Sequence, residues 1–328
     1  MVYYLAAFCT MKILFTADIH IKLGQKNVPI EWAKNRYAMF IQQLAAECTW
    51  CDLLVLGGDV FDRMPTMDEL EVYFDLVASI SIPCIIYAGN HEALKKDTTF
   101  FSYLKKSTQR LNKLVTVIDD YHSIENMDFI PYNKIKEFEK SPHLTHGNVC
   151  FTHVRGEIPP HVKPELDLSL LDRWDVVLAG DLHSYENSQR NILYPGSPCT
   201  TSFHRNVVDT GVIIFDSITL QHSWVKLQLP QLIRKTIQAG EEMPATDYHH
   251  TIYEIEGDMS ALGALEDSSL IDKKVVKRET DTALLLDPKM TLAGELQEYL
   301  LYILQLPENT VSDIVQVLND NLDRIELE

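Results

Sequence analysis

Five short apolar runs punctuate the first 183 residues: KILFTAD (12–18), LLVLGGD (53–59), CIIYAGN (84–90), VCFTH (149–153) and VVLAGDLH (176–183). Each is rich in β-branched and aliphatic side chains and stops at a polar cluster. Runs of this length and composition predict buried strands. Between the first three, apolar residues recur at helical spacing. Tyr37, Phe40, Ile41 and Leu44 share one face of 31–46, and Leu70, Phe74 and Val77 share one face of 67–79. Strand–helix–strand order implies parallel neighbours joined by right-handed crossovers. After residue 115 the pattern changes. Runs 115–118, 127–131, 210–215 and 221–227 read as strands joined by short loops, without a regular intervening helix. The expectation is an α/β chain with sheets packed together and helices outside.

A boundary is expected near residue 229, where LQLPQLIRKTIQAGEEMPATD carries prolines and then an acidic, small-residue stretch. That gives two regions, 11–228 and 229–328. Beyond the boundary, HHTIYEIEGD and KKVVKRETD read as strands flanking a weak helix at 259–266, and 291–304 and 309–322 read as helices. Val311, Ile314, Val315 and Leu318 form an apolar stripe that serves either a core or a partner-binding face.

Composition narrows the class. The chain has 328 residues, 46% hydrophobic and 23% charged, ordinary for a globular protein with one large and one smaller domain. No apolar run approaches the roughly 20 residues of a membrane helix. The opening MVYYLAAFCT lacks a basic region and runs straight into a strand, so it reads as an extension upstream of Met11 rather than a signal peptide. The cysteines are scattered. The lone CTWC at 48–51 reads as a helix end packing into the next strand, and this usage fits a reducing cytosol. A net charge of −18 argues against a free-standing, nonspecific DNA binder, because phosphate contacts need surplus Lys and Arg. It leaves open a phosphate-processing enzyme whose partner supplies cationic surface.

The chemistry lies where the runs stop. The first ends Asp18-Ile19-His20, the second Gly57-Gly58-Asp59, the third Gly89-Asn90-His91. The fourth places His153, and the fifth places Asp181 and His183 two apart. Alternate residues on a strand point to the same side, so each pair can converge. Sites in open α/β sheets collect outside the carboxyl ends of strands. Asp, His and Asn suit Mn²⁺, Fe²⁺ or Zn²⁺, and no thiolate is on offer. Such a set suffices for two octahedral ions if Asp59, central in the order, bridges them. Two ions roughly 3.5–4 Å apart can activate one water and hold both oxygens of an in-line displacement at phosphorus. A single Asp-x-His at a strand end is more often structural, and GNHE alone is moderate evidence; their order and setting together make coincidence a poor account.

The ordered set DIH, GGDVFDR, GNHE, TH and GDLH resembles the calcineurin-like metallophosphoesterase superfamily. GGDVFDR, VVLAGDLH and YPGSPCTTSFHR (194–205) narrow the resemblance to its SbcD-type nuclease subunits, in a bacteriophage version. It covers roughly residues 12–228. It implies a two-sheet β-sandwich flanked by helices, a four-layer αββα arrangement, followed by a small C-terminal α+β capping domain. It implies two divalent ions, Mn²⁺ with Mg²⁺ as the alternative. Asp18, His20, Asp59 and His183 would hold the first, and Asp59, Asn90, His153 and Asp181 the second. His91 would act on the phosphate or the leaving oxygen without ligating. Asp62 would orient neighbouring groups, and Arg63 would touch phosphate or pair with Asp62. His204 and Arg205 are candidate DNA contacts.

The implied activity is 3′→5′ exonuclease action on duplex DNA and endonuclease action on single strands. The implied partners are DNA and an SbcC-like ABC ATPase, with the chain a homodimer within a heterotetramer, in the cytoplasm of the host. One departure bears on the second ion: most relatives read Gly-His-x-His where this chain reads Gly180-Asp181-Leu182-His183. Two rival functions stand beside the nuclease. One is a phosphatase or phosphodiesterase acting on small substrates or phosphoproteins. The other is a non-catalytic scaffold with a degenerate second metal site.

Overall fold

The structure is a computed structural model that describes residues 11–95, 98–140, 147–244, 248–266, 268–276 and 290–325. The upstream stretch 1–10 and the end of the KKVVKRETD run lie outside the described residues. The chain divides into two compact units, one of residues 1–235 and 244–252 and the other of 236–243 and 253–328.

The first unit runs β1 (Lys12–Thr16), α1 (Ile30–Cys48), β2 (Leu53–Gly57), α2 (Met67–Ser79), β3 (Cys84–Tyr87), β4 (Ala93–Lys95), β5 (Thr98–Thr99), α3 (Phe100–Leu111) and β6 (Val115–Val117). It continues β7 (His122–Ile124), β8 (Met127–Ile130), α4 (Tyr132–Lys140), β9 (Val149–His153), β10 (Val176–Gly180), β11 (Ile192–Leu193), β12 (Gly211–Asp216) and β13 (His222–Lys226). One sheet has the order β13-β12-β1-β2-β3-β6 and the other β11-β10-β9-β8-β7. As expected, β1, β2 and β3 pair in parallel, Leu14 beside Leu54 and Leu54 beside Cys84.

Side-chain alternation builds the layers. Ile13, Phe15, Val55, Ile85 and Tyr87 of the first sheet pack with Phe129, Val149, Phe151 and Leu178 of the second. The opposite face of the first sheet, Leu14, Leu54, Leu56 and Ile86, packs on Phe40 and Leu44 of α1 and Tyr73 and Leu76 of α2. The outer face of the second sheet, Ile130, Cys150, Val177 and Ala179, packs on Ile135, Phe138 and Trp174. Strands covered on both faces are apolar at consecutive positions, which is why the runs stand out in the sequence. Cys48 and Cys51 are buried free thiols at the end of α1 and just beyond it, without a ligand partner among the described residues.

One expectation fails. A helix, α4, does intervene between β8 and β9; only Ile135 and Phe138 of it are buried, too few to mark an apolar stripe. The stretch just past residue 229 contains a strand, β14 (Leu232–Gln238), that the sequence reading did not name.

The second unit carries the ends of β14 and β15 (His250–Gly257), then α5 (Met259–Gly263), β16 (Ile271–Val276), α6 (Leu292–Glu298) and α7 (Glu308–Ile325). Its core gathers Tyr253, Ile255 and Leu262, with Ile237, Ala239 and Ile271 against them. The predicted helix 291–304 forms as α6 followed by a wider turn at Tyr299–Ile303. No helix among the described residues is long and apolar enough to cross a membrane.

Candidate metal centre

The strand ends converge. Beyond β1 and β2 the chains stay paired, with Asp18 N–H donating to Gly58 O (3.0 Å) and His20 N–H to Asp59 O (2.9 Å). This turns both chains into one pocket at a cost in backbone strain. Asp18 (φ 57°), His20 (φ 47°), Asp59 (φ 50°) and Asp181 (φ 101°) all occupy the left-handed region, which non-glycine residues rarely tolerate without compensation. Gly58 (φ 91°) and Gly89 leave room for the approach. A Cβ on Gly58 would fall 2.6 Å from His153 Nδ1, and one on Gly89 would fall 2.2 Å from Asp59 Oδ1.

Asp59 is the hub. Its Oδ2 lies 3.5 Å from His153 Nε2, 3.7 Å from His20 Nε2 and 3.8 Å from His91 Nε2. Its Oδ1 accepts the His91 N–H at 2.9 Å. On one side, His20 Nε2 meets His183 Nε2 at 3.1 Å and Asp18 Oδ1 at 3.9 Å. On the other, His153 Nε2 meets Asn90 Oδ1 at 3.0 Å. His153 Nδ1 faces the Gly57 carbonyl at 2.9 Å, which places a proton there, so that Nε2 is the atom with a lone pair whenever the ring is neutral.

The donor set fits cations. Lone pairs of Asn90 Oδ1, His153 Nε2 and Asp59 Oδ2 face one another. Without a cation the Asn90 amide would do better turned over, its NH₂ donating to His153 and Asp59. Among the described residues, ligand atoms gather within 4.8 Å of one another in Asp18–His20–His183, in Asp18–Asp59–His153 and in His20–Asp62–His91. Side chains alone also leave the charges unbalanced. Burial pushes the Asp18 carboxyl up to about 8, with Asp59 adding to the effect. Burial pulls His20 down to about 3. Burial alone would lower His153, but Asp59 and Asp18 outweigh it and raise the imidazole well above its usual range. Burial disfavours the Asp59 carboxylate too, yet His153, His20 and His91 hold its pKa below the usual range.

The other predicted residues fall at different ranges. His91 Nδ1 lies 2.5 Å from the Asp62 carbonyl, so the ring turns Nε2 toward the pocket. Asp62 pairs with Lys22 (2.8 Å), and Arg63 faces Glu69 (3.6 Å) rather than Asp62. Asp181 donates its N–H to both oxygens of Asp18 at 3.1 Å, but its carboxylate is gripped by Arg155, with Nε–Oδ2 3.0 Å and Nη2–Oδ1 3.2 Å. It joins none of the three converging groups. His204 joins none of the converging groups, and Arg205 is exposed. His204 bridges to Ile233 and lines a cleft of about 670 Å³ that begins at His183 and includes Tyr185, Thr201 and Trp224.

Sequence reasoning missed four side chains around the pocket. Glu92, fully buried, accepts N–H bonds from Asp59 (2.9 Å), Phe61 (2.8 Å) and Gly89 (2.8 Å), tying the loops after β2 and β3 together. It stands in plain sight as the last letter of GNHE. Ser197 Oγ reaches Asp18 O at 2.6 Å, and Arg36 donates to Thr200 O at 2.9 Å, so the YPGSPCTT loop backs the pocket. Arg155 had no signal beyond lying two residues past His153.

The sequence profile of calcineurin-like phosphoesterases matches residues 11–214. The chain belongs to the calcineurin-like phosphoesterase family. Family membership makes it a metal-dependent phosphoesterase with the sandwich fold described above. It is 42% identical over 319 residues to "Probable exonuclease subunit 1" of Escherichia phage T5, covering 93% of this chain and 97% of that protein. Among solved structures, an archaeal phosphodiesterase aligns at 14% identity with a TM-score of 0.39 over 66% of this chain and 100% of its own. A protein of Thermus thermophilus aligns at 11% identity with a TM-score of 0.41, over 66% and 99% respectively.

Proposed function

We propose that this phosphoesterase is the nuclease subunit of a DNA-processing assembly, cutting phosphodiester bonds with two divalent ions, Mn²⁺ foremost, beside an ABC-type ATPase. The observation that carries the proposal is the convergence of His20 and His153 on Asp59, with Asp18 beside both and His183 meeting His20. The phage T5 relative, named an exonuclease subunit and alike along almost its full length, supplies the substrate class. Asp18, His20, Asp59 and His183 would hold one ion, and Asp59, Asn90 and His153 the other, with Asp181 beside it. When bound, the pair polarises the phosphate and lowers the pKa of an attacking water.

The chain's own groups do the rest. His91, held at Nδ1 by the Asp62 carbonyl, offers Nε2 for a proton to the leaving oxygen. The cleft beside His183 takes the nucleotide next to the cut. Its aromatic pair, Tyr185 and Trp224, with ring centroids 5.6 Å apart, suits sequence-tolerant base stacking. Among the described residues, no lysine or arginine lines this cleft, which favours a neutral base over a phosphate there. The net charge of −18 leaves long-range DNA capture to a partner.

The test is hydrolysis of end-labelled single-stranded and duplex DNA against a phosphoserine peptide and a nitrophenyl phosphodiester, with Mn²⁺ or Mg²⁺. DNA and the diester should be cut with Mn²⁺ while the peptide is spared. Preferential cleavage of the peptide would replace this reading with that of a phosphatase.

A further inference from the structure

The fork of Arg155 on Asp181 is a two-bond interaction beside the pocket that the metal chemistry does not call for. Here the carboxylate is 6% exposed and both of its oxygens face the guanidinium. A cation so close repels a second cation, and it engages the lone pairs that Asp181 would lend. Yet Arg155 is 42% exposed, and its backbone N–H is anchored separately by Glu165 at 3.1 Å, so the side chain can move while its stem stays. A phosphodiester presents the same planar pair of oxygens that a guanidinium recognises in a carboxylate.

We propose that Arg155 is a positioning residue that withholds Asp181 from the second ion until a substrate phosphate draws the guanidinium away. The inference rests on the nuclease reading above. The exchange is one of partners only: the Arg155–Asp181 pair opens, an Arg155–phosphate pair forms, and the freed Asp181 carboxylate completes the second site. Filling is therefore sequential. The first ion binds at Asp18, His20, Asp59 and His183 without help. The second binds weakly alone and tightly when the nucleic acid strand is present. This couples the two events reciprocally, within the range of roughly 5- to 150-fold usual for linked sites. It also confines the full two-ion centre to the substrate complex.

Mn²⁺ titration calorimetry, with electron paramagnetic resonance to count spin-coupled Mn²⁺ pairs, tests this on the full chain. The titrations are run with and without a phosphorothioate oligonucleotide that resists cleavage. In the wild type, the oligonucleotide should tighten the second site about tenfold and leave the first unchanged. In Arg155→Gln, the second site should already be about tenfold tighter without the oligonucleotide, whose further effect should nearly vanish. Arg155→Lys keeps the charge without the fork and should fall between. Unchanged first-site affinity in each variant shows that the pocket has folded.

Equal second-site affinity in wild type and Arg155→Gln, or an undiminished oligonucleotide effect in the variant, overturns the inference and leaves the nuclease reading standing. A wild-type chain that binds no Mn²⁺ at all removes both.

Discussion

At the scale of single residues, Asp59 and His91 lie close together but answer to different chemistry. Asp59→Asn keeps the shape of the hub and removes the charge on which three imidazoles converge. It should abolish pairwise Mn²⁺ binding in calorimetry and reduce hydrolysis to background. His91→Ala removes no converging ligand on the Asp18 side and none beside His153. It should bind Mn²⁺ as the wild type does while turnover falls roughly 10²–10⁴-fold; parallel loss of metal would contradict its assigned role. Protons and ions compete for the same atoms, which gives a pH signature. Burial raises Asp18 to about 8, and neighbouring carboxylates raise His153. A group whose pKa rises on folding stabilises the fold below its unfolded value and loses that contribution as pH climbs through the folded value. His20, lowered to about 3, has its full contribution already above about 6.5. In chelator, therefore, the melting temperature should fall as pH rises from about 6.5 to 9. Ions require the deprotonated ligands, so the gain in melting temperature with Mn²⁺ should widen over the same interval. A gain that shrinks with pH would contradict the ligand set.

At the scale of elements, the loops after β2 and β3 depend on one buried carboxylate. Glu92→Ala strands the N–H groups of Asp59, Phe61 and Gly89. Unsatisfied buried donors cost about 1–3 kcal/mol each before relaxation, so denaturant melts should show a loss of about 3 kcal/mol or more, with Mn²⁺ affinity falling alongside. The sequence made the candidate ligands legible because a donor at a strand end is marked twice, by an apolar run before it and by glycine beside it. Asp18, Asp59, Asn90 and His183 all carry one or both marks. Glu92 lies beyond the marked position of GNHE and bonds Asp59 and Phe61 as well as nearby Gly89, and the partner of Arg155 follows another strand; no local pattern records such tertiary contacts. The same logic sorts the elements. The runs buried on both faces, β1, β2, β3, β9 and β10, are plain in the sequence. The short helix α4 and the strand β14, half-exposed and mixed in composition, are not. Asp181 was readable as a departure, but its attachment to Arg155 was not.

At the scale of the whole molecule, an acidic chain would need help to work on the polyanion proposed as its substrate. The stripe on α7 marks where help could attach. Of its four residues Val311 is buried, Val315 and Leu318 are half-buried, and Ile314 is 38% exposed. Removing residues 291–328 should leave Mn²⁺-stimulated hydrolysis of a nitrophenyl phosphodiester intact and abolish co-purification with a co-expressed ABC-type ATPase. Retained co-purification would move the docking face elsewhere. The pocket itself is drawn from two different sheets: Asp18, Asp59 and Asn90 follow β1, β2 and β3, whereas His153 ends β9 and His183 follows β10. A pair of ions held there would rivet the halves of the sandwich at their open rim. Amide protons along β2 and β9 should then exchange more slowly in Mn²⁺ than in chelator, and mechanical stretching should meet a tougher molecule when the rivets are in place.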